Sequence, residues 1–514
     1  MKKNSSIYAF LASDLGILVL IALVRVALQI PTNGQYGFHQ DELVTLEAAA
    51  HHLAWGYVAW PPVTPFLGRI SLALYGHSLI GLRSFAVLAE GLVVLLTGLM
   101  VRELGGRRPA QILAALAVAT SPISIIQGGL FQYETFDYLI WVLLAYMVVR
   151  LLTTEDPRWW LGIGATIGLG MMTKYTIAFF AAGLIVGVLA TPNRRYLKSR
   201  WLWIGALLAV LIWLPNLIWE FQNHWITLDF LGSIHARDVQ SGEASTFLLD
   251  QILFNLNLVM LTLVIAGLYA FLFGKDWQRE RVLGWMFVVP FVLLLALQGN
   301  GYYVASAYPM LASGGAVWWQ QRLERLAQDH PRAARAWRTA TWSVFGVFAA
   351  FVIALTLPVA PLGSPWWDVI SHANTNLIAE VGWPQVAQQV AEVYHALPAS
   401  EKANAAILAS SSGEIGAVGF YGPDYGLPYN HPRLISGFDT FWLYGYGSPP
   451  PQTVVVVGFG DELRAEFQSC TFQSEFRIPL NIQTEVAASH DGIYVCHNLR
   501  VPWPEFWAHF LYFG

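Results

Sequence analysis

The residues best suited to chemistry are acids and cations placed at the edges of apolar stretches. Asp41 and Glu42 sit in FHQDELVTLEAAAHHLAWGYVAWPP, where helical spacing begins, beside His39, Trp55, Trp60 and the pair Pro61 and Pro62. A carboxylate there can take the proton of a bound hydroxyl and make its oxygen a better nucleophile. The plain alternative is a helix cap, because acids at a helix start are favoured by the dipole. Glu134 and Asp137, in GGLFQYETFDYLIW, are one turn apart and share a helix face. Acids at membrane depth face a cavity, a cation or a partner. With Asp41, these two make an oxygen-rich candidate site for a divalent cation such as magnesium or manganese; solvated caps are the alternative.

Cations and aromatic residues complete the set. Lys174, in GLGMMTKYT, lies where one apolar stretch turns into the next, and Arg69 follows the double proline. Each can neutralise an anionic lipid head or simply reach the interface. Tyr302 and Tyr303 follow a Gly-rich turn in QGNGYYVASAYPMLASGGA, where an aromatic belt is the alternative to a binding role. Arg25 and Glu90 fall inside apolar stretches and can form a buried pair. Val457-Gly458-Phe459-Gly460 lacks the third glycine of a dinucleotide fingerprint, and no zinc, P-loop or G-x-S-x-G pattern is present. His51 and His52 are adjacent, so they point to different helix faces.

The elements that must position these residues are set by composition. Of 514 residues, 55% are hydrophobic and 12% charged, about half the charge of a soluble domain. A conventional soluble enzyme is excluded. The net charge of −4 gives no basic field to recruit nucleic acid. Stretches long enough to cross about 30 Å of hydrocarbon lie near 13–31, 78–101, 109–126, 134–152, 159–173, 176–190, 201–221, 251–273, 282–297, 303–320 and 340–357. Eleven spans with the N-terminus inside place 19 Lys and Arg, including Lys2, Lys3 and five in 322–338, on the cytoplasmic side. In the short outside segments only Arg69, Arg83, Lys174 and Arg237 then fall.

After about residue 358 the pattern changes to soluble α/β. VGWPQVAQQVAEVYHALP has helical spacing, NAAILAS and QTVVVVGFG read as buried strands, and DELRAEF resumes helical spacing. The expected organisation is a transmembrane domain over 1–358 with a long first outer loop, 32–77, and an extracytoplasmic α/β domain over 359–514. Cys470 and Cys496, the two cysteines of the chain, fall in that domain; a disulfide and two buried thiols both fit.

Taken together, these segments resemble the polytopic glycosyltransferases of family 39, with the GT-C fold, and most of all their RgtA/B/C/D-like bacterial members. Protein O-mannosyltransferases and the lipid A aminoarabinose transferase are relatives. The resemblance rests on the Asp41 segment, FQYETFDYLIW, GMMTKYT, GYYVASAYPMLASGGA and the tail GEIGAVGFYGPDYGLP. It implies inverting transfer of a hexosyl or pentosyl group from a polyprenyl-phosphate donor to a hydroxyl of a glycan, lipid or protein, on the outer face of the cytoplasmic membrane. Asp41 matches the family's general base, Glu134 or Asp137 its second-loop acid, Lys174 a lysine near the donor phosphate, and Tyr302 and Tyr303 a pair lining the lipid cavity. Val44 and Trp60 depart from the aminoarabinose transferases, which carry an arginine and a nearby lysine there. The rival readings are a flippase of lipid-linked sugars and a non-catalytic envelope assembly subunit.

Overall fold

The computed structural model of the protein describes residues 13–253, 255–427, 433–489 and 491–514. Lys2 and Lys3, and Pro428 of the tail pattern, lie outside the described residues. The chain divides into two compact units. The first comprises the chain up to Thr32, Arg83–Gln222 and His235–Leu357; the second comprises Asn33–Leu82, Asn223–Ile234 and Pro358–Gly514. The first outer loop therefore folds with the α/β region.

Each of the eleven apolar stretches carries helix. Among the described residues, five helices are long and apolar enough to cross a membrane: Asp14–Gly34, Leu79–Glu103, Tyr133–Thr154, Arg200–Gln222 and Pro331–Thr356. Two bent pairs, Arg108–Ala119 with Pro122–Gly129 and Ile177–Ala190 with Pro192–Lys198, raise the number to seven. Pro122 and Pro192 each open the second member of a pair, where a missing N–H is tolerated only at a helix start. The expected eleven are not reached by this criterion. Trp159–Met171, Leu258–Phe273 and Arg281–Ala296 have 13, 16 and 16 residues, short of the roughly 20 that span hydrocarbon. Tyr308–Asp329 turns polar in its second half, QQRLERLAQD. The stretch expected over 251–273 is broken, because the Asn257 side chain accepts from the backbone N–H of Met260 at 2.8 Å and starts a new helix at Leu258. The chain is a multi-pass helical membrane protein.

Small residues let the helices of the first unit approach. A methyl group on Gly164 would enter the backbone at Gly205 of the helix Arg200–Gln222, the kind of close contact that drives helix association in lipid. Arg25 and Glu90 are joined through Ser124: Arg25 donates to the carbonyls of Ala119 and Ser124, while the Ser124 hydroxyl donates to Glu90 Oε2 at 2.7 Å. Four helices are thereby tied through buried polar groups.

The second unit is built on a five-stranded sheet of β1 Ala405–Ala409, β2 Arg433–Ile435, β3 Thr453–Val457, β4 Phe467–Ser474 and β5 Ile493–Leu499. The order is β2-β1-β3-β5-β4, with β1 parallel to β2 and β3, and β5 antiparallel to β3 and β4. β1 and β3 are buried along their whole length, which is why they read as unbroken apolar runs. The helix Trp383–Ala396 packs over one face through Val390 and Tyr394, and Trp503–Ala508 covers the other through Trp503 and Trp507. The helical spacing of DELRAEF yields a single turn, Asp461–Arg464, before Phe467 enters β4. Cys470 and Cys496 face each other on β4 and β5 and are joined by a disulfide.

Candidate active site

In the first unit the site grows around Lys174. The helix Trp159–Met171 ends in a turn where the N–H groups of Thr173 and Lys174 both donate to Gly170, and this turn presents the lysine side chain. Its ammonium donates to Glu134 Oε1 at 3.0 Å. Three rings surround it: Tyr303 at 4.3 Å, Tyr133 at 4.7 Å and Tyr302 at 5.3 Å from Nζ to the ring centroid. Lys174 is thus a buried cation with one carboxylate and three π faces. Tyr302 and Tyr303 come from the 3-10 segment Gly301–Ala307, edge to face with centroids 4.6 Å apart. Tyr133, directly before Glu134, was not anticipated; its adjacency to the acid was the available signal.

Asp137 sits one turn beyond Glu134 and points elsewhere. Its Oδ2 accepts from the Thr176 hydroxyl at 2.7 Å and its Oδ1 from Trp141 Nε1 at 3.1 Å. Because Thr176 is two residues from Lys174, Asp137 pins the lysine-bearing turn to the helix Tyr133–Thr154. Glu134 is engaged by Lys174 and Asp137 by two neutral donors. Among the described residues, no group of three or more His, Cys, Asp or Glu side chains is placed to hold a metal ion.

In the second unit the helix Gln40–His51 carries the other acids. His39 is its N-cap: Nδ1 accepts from the backbone N–H of Asp41, and the His39 N–H donates to Glu42 Oε2 at 2.8 Å. Glu42 is fully buried in this reciprocal cap. Asp41 keeps its side chain 44% exposed, with Oδ2 at 3.6 Å from His39 Nδ1. Of the two adjacent acids, one closes the helix end and the other faces outward. Arg69, on the helix Val63–Tyr75, is exposed and donates to the Ala50 carbonyl at 3.3 Å, near the C-terminal end of Gln40–His51, where the dipole favours a cation.

This helix is held by a close backbone approach. Gly416, on the helix Ser412–Tyr421, meets the Val44 backbone so tightly that a Cβ would lie 2.5 Å from its nitrogen, and Gly419 faces Glu47. Gly416 and Gly419 of GEIGAVGFYG are explained by this contact, while Gly413 faces the Trp383 ring. Glu47 is buried, and burial pushes its carboxyl up to about 8. His52, with Nε2 3.9 Å from Glu47 Oε1, is pushed down to about 4 by burial and by neighbouring His51. Both groups are therefore largely neutral near pH 7.

A family-level match to dolichyl-phosphate-mannose-protein mannosyltransferases covers residues 59–219. The undecaprenyl phosphate-alpha-4-amino-4-deoxy-L-arabinose arabinosyl transferase 1 of Pseudomonas fluorescens is 30% identical over 222 residues, 41% of this chain and 39% of that protein. The lipid A galacturonosyltransferase RgtD of Rhizobium johnstonii is 26% identical over 277 residues, 50% of this chain and 54% of that one. The chain thus spans about two fifths to one half of these curated relatives. The solved structure of ArnT from Cupriavidus metallidurans bound to undecaprenyl phosphate matches over 94% of this chain and 98% of its own, with TM-score 0.50 and 15% identity. Its apo form gives 0.52 and 14%. The chain has the GT-C fold and is related to the aminoarabinose, galacturonosyl and mannosyl transferases.

Proposed function

We propose that the protein is an inverting glycosyltransferase that moves a hexosyl or pentosyl group from a polyprenyl-phosphate donor to a hydroxyl of an envelope glycan, lipid or protein. The reaction takes place on the outer face of the cytoplasmic membrane. The topology that goes with this reading has eleven passes, the N-terminus in the cytoplasm and the sheet unit outside, in keeping with the Lys and Arg count.

The observation that carries the proposal is the buried Lys174 with its tyrosine cage. In hydrocarbon such a cation is costly, and it gains its value when a phosphate needs charge. In the proposed step Asp41 takes the acceptor hydroxyl proton, and the oxygen attacks the anomeric carbon opposite the phosphate. The carbon–oxygen bond to the phosphate breaks, and Lys174 stabilises the polyprenyl phosphate that leaves. Tyr302 and Tyr303 line the donor's path, Asp137 positions the Lys174 turn, and Glu42 supports Asp41 through the helix cap. Arg69 is a second phosphate contact in this reading. Glu134, whose Oε2 is buried without a hydrogen-bond partner, and Asp137 are the residues that would hold a divalent cation, which would add positive charge at the leaving phosphate.

The test is release of free polyprenyl phosphate from a panel of polyprenyl-phosphate sugars by the purified protein, read by mass spectrometry with and without chelator. Turnover lost in Asp41→Asn is the expected result, and insensitivity to chelator agrees with a lysine-based mechanism. Lipid translocation in vesicles without sugar transfer would replace the proposal by the flippase reading. Full function of Asp41→Asn in cells would replace it by an assembly role.

A further inference from the structure

The first unit carries an apolar groove that the proposed transfer does not use. It has a volume of about 530 Å³ and lies among the helices Leu258–Phe273, Tyr308–Asp329 and Pro331–Thr356, where Leu258, Leu263, Trp337 and Val344 contribute to its walls. Arg322 also lines it, with its guanidinium over the Trp318 ring at 4.9 Å from the centroid. A second cavity of about 220 Å³ shares Trp319, Leu323 and Thr341 with the first and adds Arg107 and Arg338. The two adjoin, so one apolar wall is bordered by three arginines.

The charge at this border is only partly neutralised by the protein. Segment 322–338 holds Arg322, Arg325, Arg332, Arg335 and Arg338 against the acids Glu324 and Asp329. Glu324 is already engaged by Arg107 at 3.2 Å. Among the described residues, neither Arg322 nor Arg338 has a carboxylate partner. Both are exposed, as are Trp337 and Val344. Tryptophans beside arginines mark the level of lipid head groups, and basic pockets between membrane helices take anionic heads. The ligand that matches a long apolar wall and unpaired cations at once has an acyl chain and a phosphate.

We propose that this groove holds an anionic glycerophospholipid, its acyl chain along Leu258, Leu263 and Val344 and its phosphate on Arg322 and Arg338. These arginines belong to the segment 322–338, at the facing ends of two helices, which the charge count assigns to the cytoplasm, so the lipid is one of the inner leaflet. It is distinct in place and chemistry from a donor at Lys174. Its role is to seal a gap among three helices that protein side chains leave open.

The experiment uses delipidated full-length protein titrated with phosphatidylglycerol, phosphatidylethanolamine or glycerol phosphate. Retained ligand is read by native mass spectrometry, and Tm is read in parallel. Phosphatidylglycerol is expected to be retained and to raise Tm, with phosphatidylethanolamine several-fold weaker and glycerol phosphate not retained. Arg322→Ala and Arg338→Ala should each weaken phosphatidylglycerol about five-fold, the worth of one basic residue at an anionic surface, and leave phosphatidylethanolamine unchanged. Val344→Trp, which fills the groove without touching charge, should reduce retention of both lipids. Equal retention of the two lipids, or arginine variants that hold phosphatidylglycerol as the parent does, would overturn the proposal. So would binding of glycerol phosphate equal to that of the lipid, which would make this a free-phosphate site. A dimer lost on Val344→Trp, with lipid retention unaltered, would assign the groove to a second copy of the chain instead.

Discussion

Replacing Lys174 by methionine removes the cation while nearly keeping the side-chain length. Its partner Glu134 lies 3.0 Å away, and the two side chains are 11% and 12% exposed. Removing one member of such a pair costs about 3 to 5 kcal/mol, because the other charge is left desolvated. Lost contacts with the faces of Tyr133 and Tyr303 add about 0.5 to 2 kcal/mol each. Lys174→Met alone should therefore lower Tm and abolish transfer, which does not separate a structural role from a chemical one. The double variant Lys174→Met/Glu134→Gln does separate them. With both charges gone nothing charged is buried unpaired, so most of the lost Tm should return. Transfer should not return. Loss of a group stabilising a developing charge costs about 10²- to 10³-fold in rate, and the double variant should stay at least that far below the parent when polyprenyl phosphate release is followed by mass spectrometry. Recovery of both Tm and turnover would refute the assignment of Lys174 to the leaving phosphate and leave the pair as a structural element alone.

Three further outcomes follow from the second unit. Asp41→Asn changes a side chain that is 44% exposed, so unfolding should shift by no more than about 0.5 kcal/mol while transfer falls by about 10²- to 10⁴-fold; an equal loss of Tm and activity would point to misfolding. Gly416→Leu drives a side chain into the Val44 backbone, which should cost about 1 to 3 kcal/mol or more and slow transfer by displacing the helix that carries Asp41, whereas unchanged Tm would mean the two helices separate freely. Glu47 binds its proton more tightly when folded, about 8 against 4.5, so its contribution is fully present below about pH 4.5 and is lost as pH rises to about 8. Glu47→Gln should flatten that decline, worth up to about 5 kcal/mol, in Tm measured from pH 5 to 9; identical slopes for parent and variant would show that Glu47 does not carry it.

Much of this molecule is legible in the order of residues. All eleven apolar stretches are helical, and β1 and β3 coincide with NAAILAS and QTVVVVGFG, because transfer of apolar runs out of water depends on local composition alone. Length was harder to read: 251–273 looks continuous, but the cap at Asn257 breaks it, since a side-chain hydrogen bond competes with helix continuation without altering hydropathy. Asp41 and Glu42 are alike in sequence, and they part only when the His39 cap buries one and leaves the other outside. Gly416 and Gly419 stood in the tail as a pattern whose reason, a close approach to Val44 and Glu47, is visible only once both helices are placed.

What the sequence alone determined is therefore the solvent of each segment and the kinds of side chain at the helix mouths. Only the tertiary structure decided which of them meet. Lys174 finds Glu134 40 positions earlier and Tyr303 far later in the chain, the first outer loop folds with the sheet region, and Cys470 faces Cys496 across two strands. Hydropathy and capping act within a few residues, so they leave a local trace. Ion pairs, cation–π cages and backbone contacts between helices act across the fold and become favourable only when packing has excluded water and brought distant segments within a few ångströms.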